Sequence, residues 1–320
     1  MTTTPARELE ARVRDLVFKV RRPVNNLLHG AYASRFHGSG LEFAEMREYV
    51  PGDDVRHIDW NASSRSGRTF VKHHIEERNL TALFVVDVSG SSRFRASGPS
   101  RLERFAELVG LLGFCANRHR DRCGLVTATD RVVTVAPPAG GAAHVEHLMR
   151  TVLAADSEPV AGQAGPAVPL DAGSDLRPAL RMAASLMRRR GLVFVLSDFL
   201  LPEPMPELGA LASAHEVGGL RLLEPLEWRG PAGGLFRTVD PESGRLRVID
   251  GRDARTRQAW TAARRQQARE VRGWFDRAGA ELLTVTAEED PAEALYRWFH
   301  HGAAAAQAPQ RNPAQAAPRT

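Results

Sequence analysis

Asp87, Ser89 and Ser91 stand at alternate positions at the end of an apolar run, Leu80 to Val88, that reads as a buried strand. A carboxylate and two hydroxyls on the turn after a strand can point into one crevice. They offer hard oxygen ligands with little charge, which suits a divalent ion such as Mg²⁺ or Mn²⁺ that keeps open positions. A second apolar run, Leu192 to Leu196, ends in Ser197-Asp198. Between the two runs, Gly173-Ser174-Asp175-Leu176 opens a helix, where Ser174 and Asp175 also suit a helix cap. Polar groups at the carboxyl ends of strands are where open α/β sheets place ligands.

The surrounding pattern supplies the scaffold for these groups. Helices are predicted over Pro5 to Val20, Arg101 to Arg118, Ala143 to Ala154, Leu176 to Arg190, Glu207 to His215, Arg252 to Ala278 and Pro291 to His300. Besides the two apolar runs, strands are predicted at Thr69 to His74, Gly124 to Thr129, Val132 to Ala136, Gly219 to Leu223 and Glu281 to Thr286. Strands that alternate with helices argue for an α/β fold, a mostly parallel sheet with helices on both faces. Residues 233–250 break the alternation. Two alternating runs flank Pro241-Glu242-Ser243-Gly244, which is hairpin chemistry. The chain then divides into a small N-terminal region over 1–79, an α/β domain over 80–300 with the hairpin inserted at 233–250, and a disordered tail over 301–320. Asp156 to Asp171, rich in Pro, Gly and Ala, reads as a mobile loop. The stripe Leu9, Val13, Leu16 and Val20 on the first helix is expected to pack inward.

Composition narrows the function classes. The chain has 320 residues, 43% of them hydrophobic, enough for one large core and a smaller region. Its net charge of +5 is read as a mixed-charge surface, since no interleaving of aromatic and basic residues marks a nucleic-acid binder. Cys115 and Cys123 are the two cysteines. They read as reduced core thiols, which with the absence of a signal peptide or a spanning run predicts a cytoplasmic protein without a transmembrane segment. Gly-x-x-x-x-Gly-Lys and Gly-x-Ser-x-Gly are absent, so neither ATP hydrolysis by this chain nor a hydrolase elbow is supported. A phosphatase using Asp87 would need an acid two residues on, and that position is Ser89.

The run Asp87-Val88-Ser89-Gly90-Ser91 resembles the metal-ion-dependent adhesion site of von Willebrand factor A domains, whose motif is Asp-x-Ser-x-Ser. Asp198 resembles that family's distal aspartate, and Ser174 matches a loop position where the family usually has threonine. The resemblance implies a Rossmann-like von Willebrand A-type sheet and an ion held by Asp87, Ser89, Ser91, Ser174 and Asp198, with an open position for a partner's carboxylate.

A second resemblance rests on a longer signature. Leu41-Glu42-Phe43, Arg47-Glu48-Tyr49, Pro51-Gly52-Asp53-Asp54-Val55-Arg56-His57-Ile58-Asp59-Trp60 and the strand from Val71 to Glu77 look like the bacterial family called domain of unknown function 58. It implies a partner class, MoxR-type AAA+ ATPases, and a non-catalytic adaptor role in protein assembly or maturation towards a client presenting an acidic residue. Physically, Asp53, Asp54 and Asp59 offer carboxylates to Arg47 and Arg56 in a structural ion-pair cluster, with Tyr49, Gly52 and Trp60 completing the signature. A binding surface is the other reading of that stretch. A metal-dependent hydrolase or phosphatase remains the alternative function, with Asp171 or Asp175 as its candidate base.

Overall fold

The computed structural model describes residues 5–37, 45–51, 53, 55, 58–73, 80–93, 98–156, 174–201, 203–224, 227, 230, 233–239 and 246–306. Most of the predicted loop at Asp156 to Asp171, the turn at Pro241 to Gly244, and the tail from 307 onward lie outside these residues.

Six strands form the central sheet: β3 (Thr81–Asp87), β4 (Arg122–Ala128), β5 (Val132–Ala139), β6 (Leu192–Ser197), β7 (Glu216–Leu223) and β10 (Glu281–Thr286). Their spatial order is β10–β7–β6–β3–β4–β5, parallel except for the antiparallel edge strand β5. The chain thus starts in the middle with β3, builds outward through β4 and β5, and returns to the other side of β3 with β6. The order of connection reverses between β3 and β6, and such a switch point opens a crevice beyond the carboxyl ends of the two strands. Pro137 and Pro138 are accommodated in β5 because an edge strand can leave N–H positions unpaired.

Alternation along β3 divides the core in two. Ala82, Phe84 and Val86 face α1 (Pro5–Pro23), α4 (Arg101–Arg118), α5 (Ala142–Ala154) and α9 (Pro291–Ala306). Leu83 and Val85 face α6 (Arg177–Leu186), α7 (Pro206–Ala214) and α8 (Ala254–Ala278). The α1 stripe does pack inward: Val13, Leu16 and Val20 are buried in the first cluster, and the chain continues through π-type turns and a short α2 (His29–Tyr32) to bury Tyr32 there too. Glu107 on α4 is buried and accepts an ion pair from Lys19 at 2.7 Å, which ties α1 to the sheet domain.

The signature region forms its own small sheet, in which β1 (Glu45–Glu48) pairs antiparallel with β2 (Phe70–His73), flanked by α3 (Trp60–Ser66). The inserted hairpin is present as β8 (Leu235–Val239) against β9 (Leu246–Asp250).

Two predicted boundaries are corrected. The helix expected to run to Arg190 ends at Leu186, because Met187 turns into an extended conformation and buries its side chain in the second cluster. Strand β7 begins at Glu216, before Gly218-Gly219, where a sequence reading stops at the glycines. A Cβ at Gly218 would lie 2.5 Å from the Trp298 ring, and one at Gly219 would lie 2.4 Å from the Phe275 ring. The glycines are there to let two aromatic rings lie on the sheet.

Cys115 and Cys123 are free and buried, and burial pushes both thiols up to about 12. Neither is expected to react with iodoacetamide at about pH 8 in the folded chain, while both label in denaturant. Mass spectrometry distinguishes the cases, and rapid labelling of the native chain would contradict this packing.

Candidate functional site

The crevice at the switch point is built from four segments. Strand β3 delivers Asp87 as its last residue, and Ser89 and Ser91 follow on a turn that continues as one 3₁₀ turn, Gly90–Arg93. The Asp87 side chain begins this turn itself, its Oδ1 accepting the Ser89 N–H at 2.9 Å. Ser89 and Ser91 are buried with their hydroxyls 3.2 Å apart. From the loop before α6, Ser174 donates to Asp87 Oδ2 at 2.9 Å. That loop is held against the end of β4 by the Asp175 N–H, which donates to the Thr129 carbonyl. From β6, Ser197 also donates to Asp87 Oδ2, at 2.8 Å.

Asp87 is therefore a fully buried carboxylate surrounded by donors from three segments. Burial, and after it the charge of Asp198, pushes its carboxyl above its ordinary value. Among the described residues no cation pairs with it.

Asp198 is placed beside the same crevice, but its bonds differ. Its Oδ2 accepts Arg101 Nη1 at 2.6 Å, and its Oδ1 accepts the Leu200 N–H at 3.0 Å. Arg101 and Asp198 are each only 1% exposed at the side chain. The same Nη1 donates to the Ser91 carbonyl at 2.6 Å, and Nη2 donates to Glu227 at 2.6 Å. Burial alone would lower the Arg101 pKa, but the carboxylates of Asp198, Glu227 and Glu224 outweigh it and hold the guanidinium above its ordinary value.

Five expected residues thus converge, but in two groups: Asp87 with Ser89, Ser91 and Ser174, and Asp198 with Arg101. Ser197 and Arg101 were not singled out from the sequence. Ser197 had a signal in its place next to Asp198 at a strand end. Arg101 had a weaker one, a cation in the first turn of a helix, where the macrodipole disfavours it.

The donor set fits a hard divalent cation. One carboxylate and several hydroxyls are the oxygen chemistry such an ion takes. Separations of 2.9 Å for Ser174–Asp87 and 3.2 Å for Ser89–Ser91 are near the octahedral edge of about 3 Å set by metal–oxygen distances of about 2.1 Å. Among the described residues no three His, Cys, Asp or Glu side chains form a metal-holding group, so hydroxyls would have to complete the shell.

In the signature stretch two of the acids make local hydrogen bonds. Asp59 caps α3 by accepting the Asn61 and Ala62 N–H groups, and Asp53 accepts the Val50 N–H across the turn. The Tyr49 N–H donates to the Thr69 carbonyl, and Arg47 stands opposite Val71 in the β1–β2 register. Trp60 is 71% exposed at the start of α3. Gly52, Asp54 and Arg56 lie outside the described residues. Glu48 pairs with Arg68 at 2.6 Å on the surface, a position where ion pairs contribute little.

A solved structure of the conserved hypothetical protein BatB from Bacteroides thetaiotaomicron aligns with a TM-score of 0.45 at 16% identity, over 70% of this chain and 99% of that one. An aerotolerance-related membrane protein from Bacteroides fragilis aligns with a TM-score of 0.42 at 15% identity, over 70% and 98% of the two chains. By sequence, the uncharacterized protein Rv1480 of Mycobacterium tuberculosis is 32% identical over 288 residues, 88% of this chain and 86% of that protein. The profile of the family described as "Protein of unknown function DUF58" matches residues 45–270, from the β1–β2 signature sheet into α8 and across the whole crevice. The chain belongs to the DUF58 family.

Proposed function

We propose that this chain is a non-catalytic, metal-dependent adaptor. In this reading Asp87, Ser89, Ser91 and Ser174 hold Mg²⁺ or Mn²⁺, and the ion's open position captures a carboxylate from a partner protein. The observation that carries it is Asp87: a carboxylate with no exposed surface, given hydrogen-bond donors but no cation among the described residues. Burying an anion without a counter-charge is costly, and a site that keeps one is suited to receive a cation. A bound ion supplies Lewis acidity towards an anionic oxygen. The chain's residues do the rest. Ser197 and the Ser89 N–H orient the Asp87 carboxylate, and the Asp175 N–H fixes the loop that presents Ser174.

The hydrolase alternative needs a base beside the ion. Asp175 is a poor one, since hydrogen bonds from Arg177 hold its carboxyl below its ordinary value. Asp171 lies outside the described residues. The partner class follows from the family resemblance, a MoxR-type AAA+ ATPase together with a client that presents an acidic residue. Two buried free thiols support a reducing, cytoplasmic setting, and among the described residues no helix is long and apolar enough to cross a membrane.

The test is a pull-down of a purified MoxR-type ATPase on this chain, with Mg²⁺ and with EDTA, beside a screen of phosphoester and peptide substrates. Retention in Mg²⁺ and release by EDTA are expected. Binding indifferent to EDTA, or metal-dependent turnover by the purified chain, would overturn the reading.

A further inference from the structure

The motif pattern counts Asp198 among the ion's ligands. We propose instead that Asp198 is the counter-ion of Arg101, and that the pair positions the Ser91 turn so that Asp87 is the single carboxylate the ion meets. This rests on the cation reading above.

Both oxygens of Asp198 are engaged. Oδ2 accepts Arg101 Nη1 at 2.6 Å, Oδ1 accepts the Leu200 N–H at 3.0 Å, and the Asp198 carbonyl accepts Arg221 Nε at 3.1 Å. To serve an ion beside Asp87, Asp198 would have to leave a guanidinium that has almost no contact with water. Separating one member of a buried ion pair leaves an uncompensated charge, which is among the most costly changes a core can undergo. Arg101 has a second task that needs it in place. The nitrogen that binds Asp198 also donates to the Ser91 carbonyl, so one guanidinium holds the end of β6 and the turn carrying Ser91. Its other nitrogen reaches Glu227, just before the inserted hairpin. Arg101 is thus a positioning residue, acting on the ion through Ser91.

A functional consequence follows from the charge count. An ion facing one carboxylate keeps most of its positive charge and is held weakly by the chain alone. A partner's carboxylate then completes the charge balance. Ion and partner strengthen each other's binding by the same factor, as linkage requires.

The experiment has two arms. The first is Mn²⁺ titration calorimetry of the parent chain, Asp87→Asn and Asp198→Asn. The asparagine oxygen can still accept from Arg101, so Asp198→Asn is expected to lose no more than about 10–100-fold, the range for a group acting through another residue. Asp87→Asn is expected to lose more than that, to the point of no measurable binding. Equal losses in the two variants would overturn the proposal. The second arm is thermal unfolding without metal of Arg101→Met, Asp198→Leu and the double variant. Each single variant is expected to melt well below the parent, and the double to recover part of the loss. Additive losses would refute the pairing. A parent chain that binds no Mn²⁺ refutes the cation reading alone, and the unfolding cycle then decides whether Arg101 and Asp198 are partners.

Discussion

Asp87→Ala is expected to abolish measurable Mg²⁺ or Mn²⁺ binding while the fold survives. The variant removes the one carboxylate that, among the described residues, lies among hydroxyls at the switch point, and with it the strongest local attraction for a hard cation. Hydroxyls from Ser89, Ser91 and Ser174 would remain, but neutral oxygens alone cannot offset the hydration an ion gives up. The loss should be at least about a hundredfold in affinity, beyond what changes outside the ligand shell produce. Effects on folding oppose one another. The Ser197 hydroxyl and the Ser89 N–H lose their acceptor, at about 1–3 kcal/mol for each group left buried and unpaired, while the half-buried Ser174 hydroxyl can turn to water. Against that, the fold no longer buries a carboxylate without a cation. Titration calorimetry with Mn²⁺, run beside a thermal melt, separates the two quantities. Unchanged affinity in a folded variant would place any bound ion away from Asp87.

Phe275→Ala is expected to destabilise the chain by about 3–5 kcal/mol, the range for emptying a buried aromatic site. Phe275 on α8 is fully buried, lies flush on the sheet at Gly219, and meets the Phe199 ring edge-on at 5.1 Å between centroids. Little around it can move inward. Gly219 has no side chain to fill the space, and Phe199 is held by its own backbone. That backbone bears on function. Phe199 follows Asp198 and has a φ of +52°, a left-handed conformation uncommon for a non-glycine residue, with its N–H donated to Ser197 Oγ. Such a conformation persists only where surrounding structure enforces it, and the Phe275 ring is part of that enclosure. The variant should therefore also speed amide exchange across Ser197 to Leu200. Denaturant unfolding gives the stability change. A loss below about 1 kcal/mol would mean that neighbouring side chains collapse into the space.

The elements that carry the site were legible because their signals are local. Strand β3 is an unbroken apolar run, and its polar ending needs only adjacent residues to be recognised. The same holds for β6, for the two paired strands of the hairpin, and for the α1 stripe, whose period gives an inward face without saying what covers it. The structure supplied that cover, the first core cluster, which spans both ends of the chain. Where local signals conflicted with packing, the sequence reading stopped short. The expected strand starts at Gly219, and the glycine pair hides its extension back to Glu216 until Trp298 and Phe275, from helices far along the chain, are seen lying on the two glycines. Arg188 to Arg190 continue a helical pattern that Met187 breaks by turning into the core.

At the site the division is sharper. Residue types and spacing pointed to Asp87, Ser89 and Ser91 as oxygen ligands for one ion, and the von Willebrand A resemblance added Ser174 and Asp198. Only the tertiary structure shows which of them lie together, Asp87 with Ser174 and Ser89 with Ser91 on one side and Asp198 with Arg101 on the other. Arg101 and Asp198 are 97 positions apart in the chain. They meet because α4 starts beyond the β3 turn and β6 lies beside β3, so the sheet order brings a guanidinium to the second carboxylate and, among the described residues, none to the first. A carboxylate's partner is the charge that reaches it within hydrogen-bond distance. Sequence specifies which charges exist, while the path of the backbone sets which of them are close enough to pair.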